Sequence, residues 1–193
     1  MEYHRRYAEA EEQKMVLQTE RLILRRMEQS DFGALCRVLQ DEKAMYAYEH
    51  AFDDREVQEW LDRQIGRYQQ YGFGLWAAVH KESGEIIGQC GLTMQDCGER
   101  QVLEIGYLFE RVFWNQGYAS EAAKACREYA FDVLGAEEVF SIIRDTNEAS
   151  QRVARYNGMT VRGRLVKHYY GMGDFSSDGC RCTGLLRRRT AGD

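Results

Sequence analysis

The chain has 193 residues, 44% hydrophobic and 30% charged, with 26 basic against 31 acidic side chains. That composition fits one globular domain: no apolar run approaches the roughly 18 to 20 residues of a membrane span, and a net charge of -5 argues against a protein held on nucleic acid by a basic surface. The six cysteines form no C-x-x-C pair and the four histidines are scattered, so no metal site is expected and the thiols are expected free.

Residues 1–14 are polar and are expected to form an N-terminal extension, followed by a single domain over 15–190. No apolar segment there resembles a secretory signal, so a cytoplasmic location is expected. Alternation in Arg21-Leu22-Ile23-Leu24-Arg25-Arg26-Met27 predicts the first strand. Ser30-Asp31 offers an N-cap for a helix carrying Phe32, Leu35, Cys36, Val38 and Leu39 at helical spacing. A second helix starts at the acidic pair Asp53-Asp54, presents Val57, Trp60, Leu61, Ile65 and Tyr68, and stops at Gly72. Three strands follow, over 75–80, 86–95 and 101–109, with short turns that imply antiparallel pairing.

After Phe109 the pattern changes. Asn115-Gln116-Gly117-Tyr118 precedes a helix with Ala119, Ala122, Ala123, Cys126, Ala130 and Val133 on one face. A strand (138–144), a helix (147–157), and strands over 160–166 and 180–186 complete the order βααβββαβαββ, an α/β (α+β) domain around one mixed, mostly antiparallel sheet. The run Arg187-Arg188-Arg189 is expected to be a solvated tail.

The informative stretch joins Leu103-Glu104-Ile105-Gly106-Tyr107-Leu108-Phe109 to Trp114-Asn115-Gln116-Gly117-Tyr118-Ala119-Ser120-Glu121. A strand entering a glycine-containing turn and then a helix exposes backbone N–H groups at a positive dipole end, which suits a pyrophosphate. It is neither a Walker loop nor a three-glycine dinucleotide fingerprint. Together with Thr19-Glu20-Arg21-Leu22-Ile23-Leu24-Arg25 near the start and the segment from Asn147-Glu148-Ala149-Ser150 to Asn157-Gly158-Met159, it resembles the GNAT acetyltransferases, in the branch of the RimJ and RimL ribosomal-protein N-terminal acetyltransferases.

The resemblance implies the GNAT fold, acetyl-CoA as donor, no metal, and direct acetyl transfer to an amine. It assigns the pantetheine arm to Tyr107, Leu108 and Phe109, the pyrophosphate to the loop Asn115, Gln116, Gly117, Tyr118, Ala119 and Ser120, and a further cofactor hydrogen bond to Asn147. It implies Glu104 as a base acting through water and Ser150 as proton donor to the leaving thiolate. Trp114 and Asn115 depart from the family's usual glutamine or arginine and glycine, and Ala154 stands where many members carry a catalytic tyrosine.

Each residue also has a plain structural reading: Glu104 as a strand-end ion-pair partner, Asn147 as an N-cap, Ser150 as a helix-surface serine. Between Asp41 and Asp62 eight acids face two basic residues, a field that would draw a cationic acceptor such as a basic protein N-terminus, or else only a solvated face. The acceptor is expected to be a protein N-terminal amine; a polyamine, amino sugar or antibiotic amine, or a non-catalytic acyl-CoA-binding module, are the alternatives. Neither nucleic acid nor membrane is expected as a partner, and the chain is expected to be a monomer or a homodimer.

Overall fold

The computed structural model describes residues 15–48, 50–97, 100–167 and 180–189. Within these, strands β1 (Met15–Gln18) and β2 (Leu22–Arg25) lead into helices α1 (Phe32–Leu39) and α2 (Asp54–Tyr71). Strands β3 (Leu75–His80), β4 (Ile86–Cys97) and β5 (Arg100–Phe109) precede α3 (Tyr118–Asp132), β6 (Glu138–Arg144), α4 (Glu148–Tyr156), β7 (Thr160–Lys167) and β8 (Cys180–Arg188). The eight strands form one sheet in the order β1-β2-β3-β4-β5-β6-β8-β7. Every neighbouring pair is antiparallel except β5 with β6. This is the expected α/β architecture with one strand more: β1, four residues without apolar alternation, pairs with β2 ahead of the predicted first strand.

Local chemistry explains the helix boundaries. Asp53 accepts the Glu56 N–H at 2.8 Å while Glu56 accepts the Asp53 N–H at 2.9 Å, a reciprocal cap that opens α2, and Gly72 closes it at φ 79°. The expected Ser30-Asp31 cap of α1 takes another form. A 3-10 turn over Gln29–Asp31 comes first, and the nearly buried Asp31 carboxylate holds the Arg25 guanidinium through two 2.8 Å bonds. A bidentate pair of this kind ties the end of β2 to the start of α1 with fixed geometry.

Successive residues of β4 show how the layers are arranged. Gln89 bonds Trp60 of α2 and Cys90 meets Cys126 of α3 at 3.5 Å, so the two helices cover opposite faces of the sheet. Gly91 lies under the chain at Gly74 and Leu75, where a Cβ would stand 2.1 Å from the Gly74 backbone oxygen; any larger residue would push the start of β3 away. Trp76, Leu24, Leu61, Leu92, Phe131 and Leu185 are fully buried around these contacts. Each contributes about 1.5–3 kcal/mol if a mid-sized apolar side chain is taken as the measure.

Two surface expectations change. Val133, counted on the buried face of α3, is 64% exposed because the helix has already ended at Asp132. Arg187 and Arg188 belong to β8, where Arg188 reaches Glu138 at 3.7 Å, while Arg189 meets Asp132 at 3.3 Å, so this end of the run is paired. The polar extension over 1–14 falls outside the described residues, as do the side chains of Cys180 and Cys182. Among the described residues no helix is long and apolar enough to cross a membrane, and no cluster of histidine, cysteine and acidic residues could hold a metal ion. Burial and the Cys90 neighbour push the Cys126 thiol up, so it stays protonated and inert.

Candidate active site

The site follows from how β5 meets its two neighbours. With β4 it forms ladder pairs from Gly88↔Phe109 to Cys97↔Arg100, whereas with β6 it has the single pair Glu104↔Phe140. Beyond that point the strands part, and side chains replace the missing parallel ladder. Glu104 Oε1 accepts the Ile142 N–H at 3.0 Å, and Ser141 Oγ donates to the Ile105 carbonyl at 3.1 Å. The gap continues into a cleft of about 1050 Å³.

One wall of the cleft is backbone. Trp114 donates its indole N–H to the Phe109 carbonyl at 2.8 Å and so fixes the turn that leaves β5. Asn115 has φ 59° and Gly117 φ 87°, both left-handed. Asparagine is the side-chain-bearing residue that tolerates this conformation best, which explains how it stands where a glycine is frequent. Gly117 is the N-cap of α3 and offers no capping side chain, so the first N–H groups of the helix are left for an anion. The acid of that first turn, Glu121, is drawn elsewhere, bonded to Thr19 at 2.5 Å and to the Arg21 guanidinium at 2.6 Å. Burial opposes its charge, yet these donors outweigh it and hold the carboxyl below its usual range.

Of the residues assigned to cofactor, Tyr107, Leu108, Phe109, Asn115, Gly117, Tyr118, Ala119, Ser120 and Asn147 all line the cleft. Gln116 does not. Its side chain donates to the Val112 carbonyl at 2.8 Å and its own carbonyl accepts from Arg21 at 2.9 Å, so it stabilises the loop from behind. Tyr118 is 93% buried beneath Arg21, whose guanidinium carbon lies 4.2 Å from its ring centre. The loop is thus fixed on its outer side by side chains and presents its backbone inward.

The opposite end holds the candidate chemical groups. Glu104 and Ser150 both line the cleft. Thr93 Oγ1 lies 3.4 Å from Glu104 Oε2, and the Tyr107 hydroxyl donates to the Ser150 carbonyl at 2.8 Å, tying β5 to the first turn of α4. Asn147 is the N-cap of α4: its Oδ1 accepts the Ser150 N–H at 3.0 Å and the Tyr46 hydroxyl at 2.6 Å. With the oxygen committed, only its NH2 group can serve a ligand. Burial, with the Glu104 carboxylate adding, pushes the Tyr48 phenol up to about 12, and burial raises Tyr107 further, so both are neutral at physiological pH.

Several lining residues carried no recognisable sequence signal. Tyr46 and Tyr48 come from the loop between α1 and α2; Trp60, Arg63 and Arg67 come from α2; Gln89 and Thr93 come from β4. A loop aromatic has no period to betray which way it faces. The acids of the 41–62 segment, by contrast, do not appear in the lining among the described residues. Asp41 pairs with Arg111 at 2.5 Å, Asp53 and Glu56 cap α2, and Asp62 takes the amide of Gln29 at 2.7 Å.

Residues 21–160 match the family described as the acetyltransferase (GNAT) domain. The chain is 40% identical over 147 residues to the uncharacterized Bacillus subtilis protein YkkB, covering 76% of this chain and 86% of that one. It is 33% identical over 151 residues to an uncharacterized N-acetyltransferase, p20, of Bacillus licheniformis, covering 77% and 84%. Among solved structures, RimL, a ribosomal L7/L12 α-N-protein acetyltransferase in complex with coenzyme A, superposes with a TM-score of 0.70 at 19% identity over 90% of this chain and 97% of that one. The split sheet, the uncapped helix beside it and these likenesses agree: the chain belongs to the GNAT acetyltransferase family and is an acetyl-CoA-dependent N-acetyltransferase.

Proposed function

We propose that the chain acetylates a protein N-terminal α-amine, in the manner of the RimJ/RimL branch and in the cytoplasm, with Glu104 as base and Ser150 as the group that protonates the leaving thiolate. The observation that carries this reading is Glu104 itself: a carboxylate held by the Ile142 N–H at the one junction of β5 and β6, on the cleft that begins at the uncapped start of α3. Acetyl-CoA laid along the unpaired side of β5 would offer its arm to the backbone of Tyr107, Leu108 and Phe109 and its pyrophosphate to the N–H groups from Gly117 to Ser120. The Asn147 NH2 group would add a donor to the arm.

The chemistry asks little of the protein. An N–C bond forms between amine and acetyl carbon, the C–S bond breaks, and one proton passes from the amine to the sulfur. An α-amine with an unperturbed pKa of about 7.7–8.0 is partly neutral already, whereas a lysine or polyamine amine would cost about 3 kcal/mol more to deprotonate. A single carboxylate relaying through water suffices for the first case. Ser150, whose carbonyl is tied to Tyr107, would take the place of the tyrosine that Ala154 replaces.

Incubation with acetyl-CoA and matched panels of peptides and small amines, read by mass spectrometry, tests the acceptor. Acetylation of peptide α-amines, with lysine side chains and polyamines turned over at least tenfold less efficiently, is expected. Turnover of small amines with none of the peptides would overturn it.

A further inference from the structure

The α2 and β4 side of the cleft carries several hydrogen-bond donors. Gln89 is 1% exposed and lines the cleft, and its Oε1 accepts the Trp60 indole N–H at 3.0 Å. An indole N–H only donates, so the orientation of the Gln89 amide is settled: its oxygen faces Trp60, and its NH2 group is a donor. That NH2 has no hydrogen-bond partner. A buried donor left unmatched costs about 1–3 kcal/mol, and such groups are kept where something else satisfies them.

Two arginines share the lining with it, Arg63 with its guanidinium carbon 5.8 Å from the Trp60 ring centre and Arg67 donating to Gln64 Oε1 at 3.1 Å. Arg63 and Arg67 line the same cleft, one and two turns beyond Trp60 on α2. The helix runs alongside β4, because Gln64, one turn past Trp60, accepts the N–H of Leu75, and Leu75 stands opposite Gly91, two residues past Gln89. A further turn brings Arg67 beside Gly74, whose carbonyl accepts the N–H of Leu92, the residue before Thr93, and Thr93 is the cross-strand partner of Glu104. The donors therefore accompany the path from Gln89 to the candidate base. Of the acids that might have drawn a cationic acceptor, Asp41 is held in an ion pair and Asp53 and Glu56 in the α2 cap, and none of the described ones is in the lining.

We propose that the amine accepted here carries a carboxylate close to its reacting nitrogen, and that Arg63, Arg67 and the Gln89 NH2 group recognise it. This rests on the reading of the cleft as a transferase site and names the chemistry of its acceptor; an acidic peptide would deepen the protein N-terminal reading, and a free amino acid would replace it. The carboxylate has two sources, the α-carboxylate of a free amino acid or an acidic side chain next to a peptide N-terminus, and the same donors suit both.

Calorimetry on the CoA-saturated protein with unreactive product analogues tests this without turnover. N-acetylphenylalanine against its carboxamide represents the free amino acid; N-acetylalanyl-aspartyl amide against N-acetylalanyl-asparaginyl amide represents the acidic peptide. The expected result is that the acid of at least one pair binds tenfold or more tightly than its neutral mate, and that Arg63→Gln with Arg67→Gln brings the ratio towards one. The pair that shows it identifies the source. Because the ratio is taken within one protein, a merely structural role for the arginines would weaken both members alike and leave it unchanged. Equal binding within both pairs, no binding of either acid, or a ratio indifferent to the arginine changes would overturn the proposal. If the acid preference holds while no amine is acetylated from acetyl-CoA, the catalytic reading falls and the anion site stands.

Discussion

The two flanks of β5 are opposites. Towards β4 the strand is paired along its whole length, from Gly88↔Phe109 to Cys97↔Arg100, and every backbone group on that side is spent inside the sheet. Towards β6 it is joined only at Glu104↔Phe140, and the neighbouring bonds are made by the side chains of Glu104 and Ser141. An unpaired strand edge in the middle of a sheet is costly unless something completes it. The fold keeps this one open where the proposed reading puts the cofactor arm, and two polar side chains support the opening. On the proposed reading the difference is a division of labour: the common donor would be recognised by backbone, and the acceptor by side chains of α2 and β4.

The backbone side breaks most easily. Gly117→Val places a β-branched residue at φ 87° with its Cβ 3.3 Å from the Arg21 guanidinium, in a conformation such residues rarely adopt. Acetyl-CoA affinity measured by calorimetry is expected to fall a hundredfold or more; an affinity within threefold of the parent would show that the loop does not hold the pyrophosphate.

How much of this was visible in the chain before folding follows the same division. A left-handed turn favours glycine or asparagine, so Asn115 and Gly117 mark a turn by residue type, and a stripe such as Val57 to Tyr68 in the eighteen-residue α2 announces its helix. The splay could not be seen, because it depends on which residues of β5 and β6 meet, partners separated by 36 to 38 positions. The orientation of α2 was equally hidden: Arg63 and Arg67 flank the buried stripe of Val57, Trp60, Leu61, Gln64 and Tyr68, and nothing local says that this flank borders a cleft. For the same reason the acidic run could be read as a field directed at the acceptor or as a solvated face, and several of its members have local duties in caps and pairs.

Smaller effects sharpen the picture. Ser150→Ala is expected to lower kcat about tenfold while leaving acetyl-CoA affinity within twofold, since the Asn147 and Tyr107 bonds to residue 150 are made by its backbone and survive the change. A loss of affinity without a change in kcat would make Ser150 a binding residue. Smallest is Glu121→Gln, outside the cleft lining. Glu121 titrates below its usual value of 4.5 in the fold, so its stabilisation is present above that value and is lost as pH falls through the lowered one. Denaturant melts are expected to show the variant about 1–2 kcal/mol less stable at neutral pH, converging on the parent in acid. A constant difference across the acid range would mean that the pairing with Arg21 and Thr19 does not act through charge.

The central claim is that Glu104 both supports the split and serves the reaction, and Glu104→Gln separates the two. Glutamine retains an oxygen for the Ile142 N–H, so the cleft should survive, but it cannot take a proton. The measurement is the single-turnover rate of acetyl transfer to a peptide α-amine, taken on the same sample as the acetyl-CoA dissociation constant. The expected result is a rate lowered about a hundredfold or more with the dissociation constant unchanged. An unaltered rate in a protein that still binds acetyl-CoA would contradict the claim and leave Glu104 as a strut between two strands.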